Sequence, residues 1–155
     1  MFRYEKIISK TAKKNICARI LLALPDWFGI EKATKAYISA CADLPLIACF
    51  SGENPVGFVA LKIHGKFAAE IYVMGITREY HRRGIGSKLL AQAEKYLAGE
   101  GIRFLQVKTL APSRESMGYA KTRQFYQSVG FVPLEEFSEL WGKDNPCLLL
   151  IKTIT

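Results

Sequence analysis

Apolar positions along this chain fall into two alternating patterns, short continuous runs and sets at helical spacing. Tyr4 to Ser9 predicts a first strand, and Ala12 to Leu24 a helix that stops at Pro25, which cannot continue one. Glu31 to Ala42 reads as a second helix. Leu46 to Phe50 and Val56 to Ile63 are strand-like runs around Ser51-Gly52-Glu53-Asn54-Pro55, a stretch dense in turn formers, so the pair predicts a hairpin. His64-Gly65-Lys66-Phe67 is the next connection. Ile71 to Ile76 is a short apolar run of the kind a buried strand shows. Ile85, Leu89, Leu90, Ala93 and Leu97 then share one helical face, and Gly99 and Gly101 stand where a helix C-cap belongs.

The C-terminal third continues the alternation. Phe104 to Leu110 is a strand, Ala111 to Gly118 a polar loop, and Tyr119 to Val129 a helix with Thr122, Phe125, Tyr126 and Val129 on one side. Phe131 to Leu140 contains a strand, and Cys147 to Ile154 is a last, mostly buried one. The order β-α-α-β-β-β-α-β-α-β-β predicts an α/β fold with a mixed sheet and helices on both faces. The Ile71–Ile76 and Phe104–Leu110 strands, joined by a helix, are expected to run parallel through a right-handed crossover.

The densest chemistry lies at 70–87. There a strand ends, a polar turn carries Arg82 and Arg83, and Gly84-Ile85-Gly86 opens a helix. A helix N-terminus presents unpaired backbone N–H groups and a dipole that favours an anion. Glycines allow close backbone approach and positive φ. Two arginines add charge that can pair with phosphate oxygens. The stretch is therefore a candidate pyrophosphate cradle, or else an ordinary strand-to-helix turn with solvated arginines. It lacks the third glycine of a dinucleotide fingerprint and the Gly-Lys-Ser/Thr of a P-loop.

Composition narrows the classes. A length of 155 residues suits one domain spanning 1–155. No apolar run is long enough to span a bilayer, which takes about 20 residues. Met1-Phe2-Arg3-Tyr4-Glu5-Lys6 has no signal-peptide pattern. The four cysteines, Cys17, Cys41, Cys49 and Cys147, are scattered without a C-x-x-C pair, so neither a metal site nor a disulfide framework is indicated. Reduced thiols and a cytoplasmic location are expected. The net charge of +8 is compatible with anionic ligands, including RNA. No basic run interleaved with aromatics points to a dedicated nucleic-acid surface.

His81-Arg82-Arg83-Gly84-Ile85-Gly86 resembles the acetyl-CoA-binding motif of the GNAT acetyltransferase superfamily, Arg/Gln-x-x-Gly-x-Gly/Ala, with His81 where Arg or Gln is usual. Phe125-Tyr126-Gln127-Ser128-Val129-Gly130-Phe131 resembles a second segment of that family, Phe-Tyr-x-x-x-Gly-Phe. The resemblance runs from about Val56 to the C-terminus. It implies a mostly antiparallel sheet with a splayed parallel strand pair, and acetyl-CoA as cofactor. The pyrophosphate would lie on His81, Arg82, Arg83, Gly84, Ile85, Gly86 and Ser87. The pantetheine would meet backbone groups of Met74, Gly75 and Ile76.

The resemblance also implies the proton chemistry. Glu70 precedes His81 by the spacing at which the histone-acetylating branch carries its general base. A base has a use, because an ammonium cannot attack a thioester until it loses a proton. Tyr126 would protonate the departing thiolate. Tyr119 stands where many relatives have asparagine. Without the resemblance, Glu70 reads as a solvated carboxylate balancing Lys66, and Tyr126 as a packing residue. His64 has no partner in sequence and reads as a surface turn residue, and Trp27 and Phe28 read as core. The expected reaction is acetyl transfer to a primary amine, of a small molecule or a peptide, in a ternary complex. Alternatives are an aminoacyl-tRNA acceptor and a non-catalytic acyl-CoA-binding module. A homodimer is a further possibility that the resemblance raises.

Overall fold

The computed structural model describes residues 1–154. Among the described residues there are seven strands, β1 (Phe2–Ile7), β2 (Leu46–Ser51), β3 (Asn54–His64), β4 (Ala68–Ile76), β5 (Phe104–Leu110), β6 (Val132–Phe137) and β7 (Cys147–Thr153). Four helices accompany them, α1 (Lys10–Leu22), α2 (Glu31–Cys41), α3 (Ile85–Gly99) and α4 (Met117–Ser128). The strand order is β1-β2-β3-β4-β5-β7-β6, mostly antiparallel, with β4 and β5 the one parallel pair. The predicted element order is the observed one, with boundaries moved by a few residues.

Contacts divide the chain into two compact units, Met1–Lys62 with Ile71–Glu100, and Ile63–Glu70 with the chain from Gly101 on. The first holds a core of Ile16, Cys17, Ile20, Leu21 and Leu24 against Leu46, Ala48, Phe58, Ala60 and Val73. Helix α1 starts earlier than its apolar pattern because Ser9 caps it, the hydroxyl accepting from Ala12 N–H at 3.2 Å. It stops at Leu22, short of Pro25. Cys17 and Cys41, far apart in sequence, are both fully buried with sulfurs 3.4 Å apart as free thiols.

Two glycines set how closely the helices of this unit approach its strands. A Cβ on Gly75 would lie 3.1 Å from Ile20 and 3.4 Å from Leu21 and Leu24, so α1 rests directly on the β4 backbone. A Cβ on Gly57 would lie 3.2 Å from Ile76, 3.3 Å from Ile85 and 3.4 Å from Leu89. Gly57 on β3 therefore seats the first two turns of α3, whose predicted face of Ile85, Leu89, Leu90, Ala93 and Leu97 is buried throughout.

In the second unit β5 and β7 run antiparallel, Val107 opposite Leu150 and Leu110 opposite Cys147, and β6 adds to β7. The carbonyl of Phe67 accepts from Arg103 and Phe104 N–H at 2.7 and 3.0 Å, which ties the chain just before β4 to the start of β5. Ser116 caps α4 by accepting from Tyr119 N–H at 3.3 Å. The α4 helix ends through Gly130, at φ +105°. No helix among the described residues is long and apolar enough to cross a membrane.

Gly57→Val adds a branched side chain where carbon atoms already approach to 3.2 Å. Urea denaturation should show a loss of about 1–3 kcal/mol, the usual cost of overpacking a filled core.

Candidate active site

The cradle stretch belongs wholly to the first unit. After Ile76 the chain makes a short 3-10 turn, Arg78–Tyr80, held by Thr77 N–H donating to Val56 O at 2.9 Å. Arg82 follows at φ 63° and Gly84 at φ 78°, both left-handed. For arginine that conformation is uncommon and costly, so the turn is held by its surroundings. Gly84 is the N-cap of α3 and offers no side chain to the helix, so no side-chain hydrogen bond caps this end. Lys88 N–H donates to Gly84 O at 3.2 Å, and the amides of Ile85, Gly86 and Ser87 precede it in the first turn. Arg82 and Arg83 are exposed, while the Ile85 side chain and Gly86 are buried. Of the predicted residues, Ile85 thus has only its backbone to give a ligand. Arg83 lies over the Tyr80 ring, 5.0 Å from its centroid.

His81 departs from the family motif, and its contacts account for what it does instead. Its Nε2 lies 2.6 Å from Ile76 O, so the imidazole closes the turn back onto the end of β4. Its ring meets Trp27 edge-on at 5.7 Å. Trp27 packs against the core with Phe28, as expected, and also carries the Arg78 guanidinium over its ring at 5.6 Å. Arg78 pairs with Asp26. The loop after α1 thus braces the cradle from the side, a connection with no signal in sequence spacing. Met74 and Ile76 are half-buried, and Gly75 is buried beneath α1. One lone pair of the Ile76 carbonyl is already engaged by His81.

The second unit holds Glu70 and Tyr126, with no hydrogen bond joining them. Glu70 is not the solvated carboxylate of the simpler reading. It is 8% exposed, and both its oxygens are engaged. His64 Nε2 lies 2.8 Å from Oε1, and Lys108 Nζ lies 3.5 Å from Oε1 and 3.3 Å from Oε2. A buried carboxylate survives only with such partners. His64 lies at the surface, as expected, but it has a partner that its sequence neighbourhood did not announce. It ends β3 across the tight turn from Glu70, and the return of the chain brings the two together. Lys108, on β5, gave no sequence signal. The Cys147 thiol is near the same group; burial pushes its pKa up, with Lys108 pulling it down and Glu70 adding to the rise.

Tyr126 is the one buried residue of α4, its ring 5.4 Å from Phe125 and 5.5 Å from Phe131. Burial, with a smaller contribution from Tyr119, pushes its phenol well above the usual tyrosine range. The phenol stays neutral.

The comparisons with known proteins agree with this architecture. The profile of the Acetyltransferase (GNAT) family matches residues 17–131. The chain belongs to that family and is an acyltransferase. No curated protein matches it. Among solved structures, a protein assigned to the GNAT family from Desulfovibrio desulfuricans superposes with a TM-score of 0.84 at 12% identity, covering 100% of both chains. The ribosomal-protein-S18-alanine N-acetyltransferase of Escherichia coli gives 0.79 at 15%, covering 100% of this chain and 95% of its own. An aminoglycoside 6′-N-acetyltransferase complexed with coenzyme A gives 0.76 at 16%, covering 99% and 97%. At these identities the likeness is one of fold.

The buried phenol has a consequence for stability. Its folded pKa lies above that of a free phenol, about 10, so its contribution is complete below that pH and is lost as pH rises further. Denaturation midpoints taken across that range should fall less steeply for Tyr126→Phe than for the parent chain.

Proposed function

We propose that this chain transfers an acetyl group from acetyl-CoA to a primary amine by direct attack within a ternary complex. The observation that carries the reading is the start of α3. It has no side-chain cap, it is entered through two left-handed residues, and two exposed arginines flank it. Such a terminus suits a pyrophosphate, with Gly84 to Ser87 supplying amides and Arg82 and Arg83 supplying charge. Backbone groups of Met74, Gly75 and Ile76 would meet the pantetheine amides as an added strand does. Relatives of this fold include an enzyme solved with coenzyme A.

In the proposed reaction the amine gives up a proton at the centre built on Glu70. The free amine attacks the thioester carbonyl, and the C–S bond breaks as the tetrahedral intermediate collapses. Tyr126, neutral by burial, protonates the leaving thiolate. The solved relatives act on aminoglycosides and on the alanine of a ribosomal protein, so small polyamines and peptide N-termini are the acceptors to try first.

The test is a panel of such acceptors assayed for CoA release. Acceptor-dependent release is expected, whereas binding of acetyl-CoA without turnover on any amine would mark a binding module. Glu70→Gln and Tyr126→Phe should each lower kcat by about 10²–10⁴-fold, the usual worth of acid–base assistance. Both should leave acetyl-CoA affinity unchanged in calorimetry. Gly86→Val should abolish that affinity, and Arg82→Ala or Arg83→Ala should weaken it by about 1–3 kcal/mol.

A further inference from the structure

We infer that the atom receiving the amine proton is Nδ1 of His64, with Glu70 as the residue that positions it. This rests on the acetyl-transfer reading above and names the base within it.

The geometry is that of a carboxylate–imidazole dyad. Glu70 is buried, its side chain 10% exposed, whereas the His64 side chain is 38% exposed. An incoming ammonium therefore meets the imidazole more readily than the carboxylate. Glu70 Oε1 lies 2.8 Å from Nε2, and an ionised carboxylate can only accept. The hydrogen of neutral His64 thus sits on Nε2, which leaves the Nδ1 lone pair as the free base. Among the described residues no hydrogen bond engages Nδ1. Lys108 closes the carboxylate from its other side, Nζ 3.3 Å from Oε2, and holds it as the fixed anion of the dyad. A buried carboxylate used in this way sets the tautomer and stabilises the imidazolium that forms.

Lys108 from β5 and the Cys147 thiol from β7, kept neutral by burial, also face the dyad. Imidazole is the ordinary side chain whose charge changes between about pH 5 and 8, where an amine acetyltransferase has to find a base.

The protons balance. R–NH3⁺ passes one proton to Nδ1, and the imidazolium releases it to solvent. The N–C bond forms, the C–S bond breaks, and the thiolate takes the Tyr126 proton. The second amine proton, lost as the amide forms, restores the phenol. One acetyl-CoA and one ammonium yield one amide, one CoA thiol and one proton.

The test is the pH dependence of kcat/KM for an amine turned over by the parent chain. His64→Gln should lower turnover by about 10²–10⁴-fold, abolish the acid limb and leave acetyl-CoA affinity unchanged in calorimetry. Added imidazole should restore part of the rate to His64→Ala, in proportion to its neutral fraction. A residue with a merely structural role would show no such rescue. Glu70→Gln should keep an acid limb, moved to lower pH, because the imidazolium has lost its anion. If His64→Gln keeps its rate and profile while the parent turns over the amine, the assignment is wrong and acetyl transfer stands. A parent chain with no acceptor-dependent turnover overturns both.

Discussion

How α3 begins governs what the rest of this structure can do. A helix start without a side-chain cap leaves its first amides unpaired, and such a start is favourable only where an anion or water can meet them. Here the start is fixed from beneath and from the side. Gly57 lets Ile85 and Leu89 sit on the β3 backbone, with carbon atoms 3.3 and 3.4 Å from where a Cβ would be. His81 ties the turn to Ile76 O at 2.6 Å, and Trp27 covers the imidazole. The left-handed Arg82 costs conformational energy that only such bracing offsets.

The second constraint is the burial of Glu70. A carboxylate at 8% exposure has to be paired, and the pairing recruits one residue from each neighbouring strand, His64 from β3 and Lys108 from β5. The same arrangement that makes the carboxylate tolerable orders an imidazole at the edge of the solvent. In the proposed reaction, structure and chemistry share one set of contacts. The phenol of Tyr126 is likewise shaped by burial, which raises its pKa and keeps it neutral.

Most of the fold was legible because strand runs and helix-spaced faces alternate without ambiguity. Phe104–Leu110 was placed to the residue, since β-branched and apolar positions end there at a polar loop. Boundaries moved where a cap rather than periodicity decides them, as at Ser9 and Ser116. The strand, glycine turn and helix of 70–99 were legible because their residues are contiguous. The surroundings of Glu70 were not, because they depend on strand register. His64 and Glu70 flank a tight turn, so a hairpin reading could have paired them. Lys108 lies 38 positions away, and nothing in its sequence neighbourhood announces the contact. Likewise Trp27 read as core, and it is core on one side only. Its other contact, with His81, explains a departure from the family motif that sequence comparison could only register.

The central proposal is that α3's first turn binds the cofactor pyrophosphate through backbone amides. Backbone amide resonances followed by NMR during titration with acetyl-CoA test it directly. The amides of Gly84, Ile85, Gly86 and Ser87 should move most, and adding pyrophosphate alone should move the same set. Saturable acetyl-CoA binding that leaves those four amides in place would contradict the account.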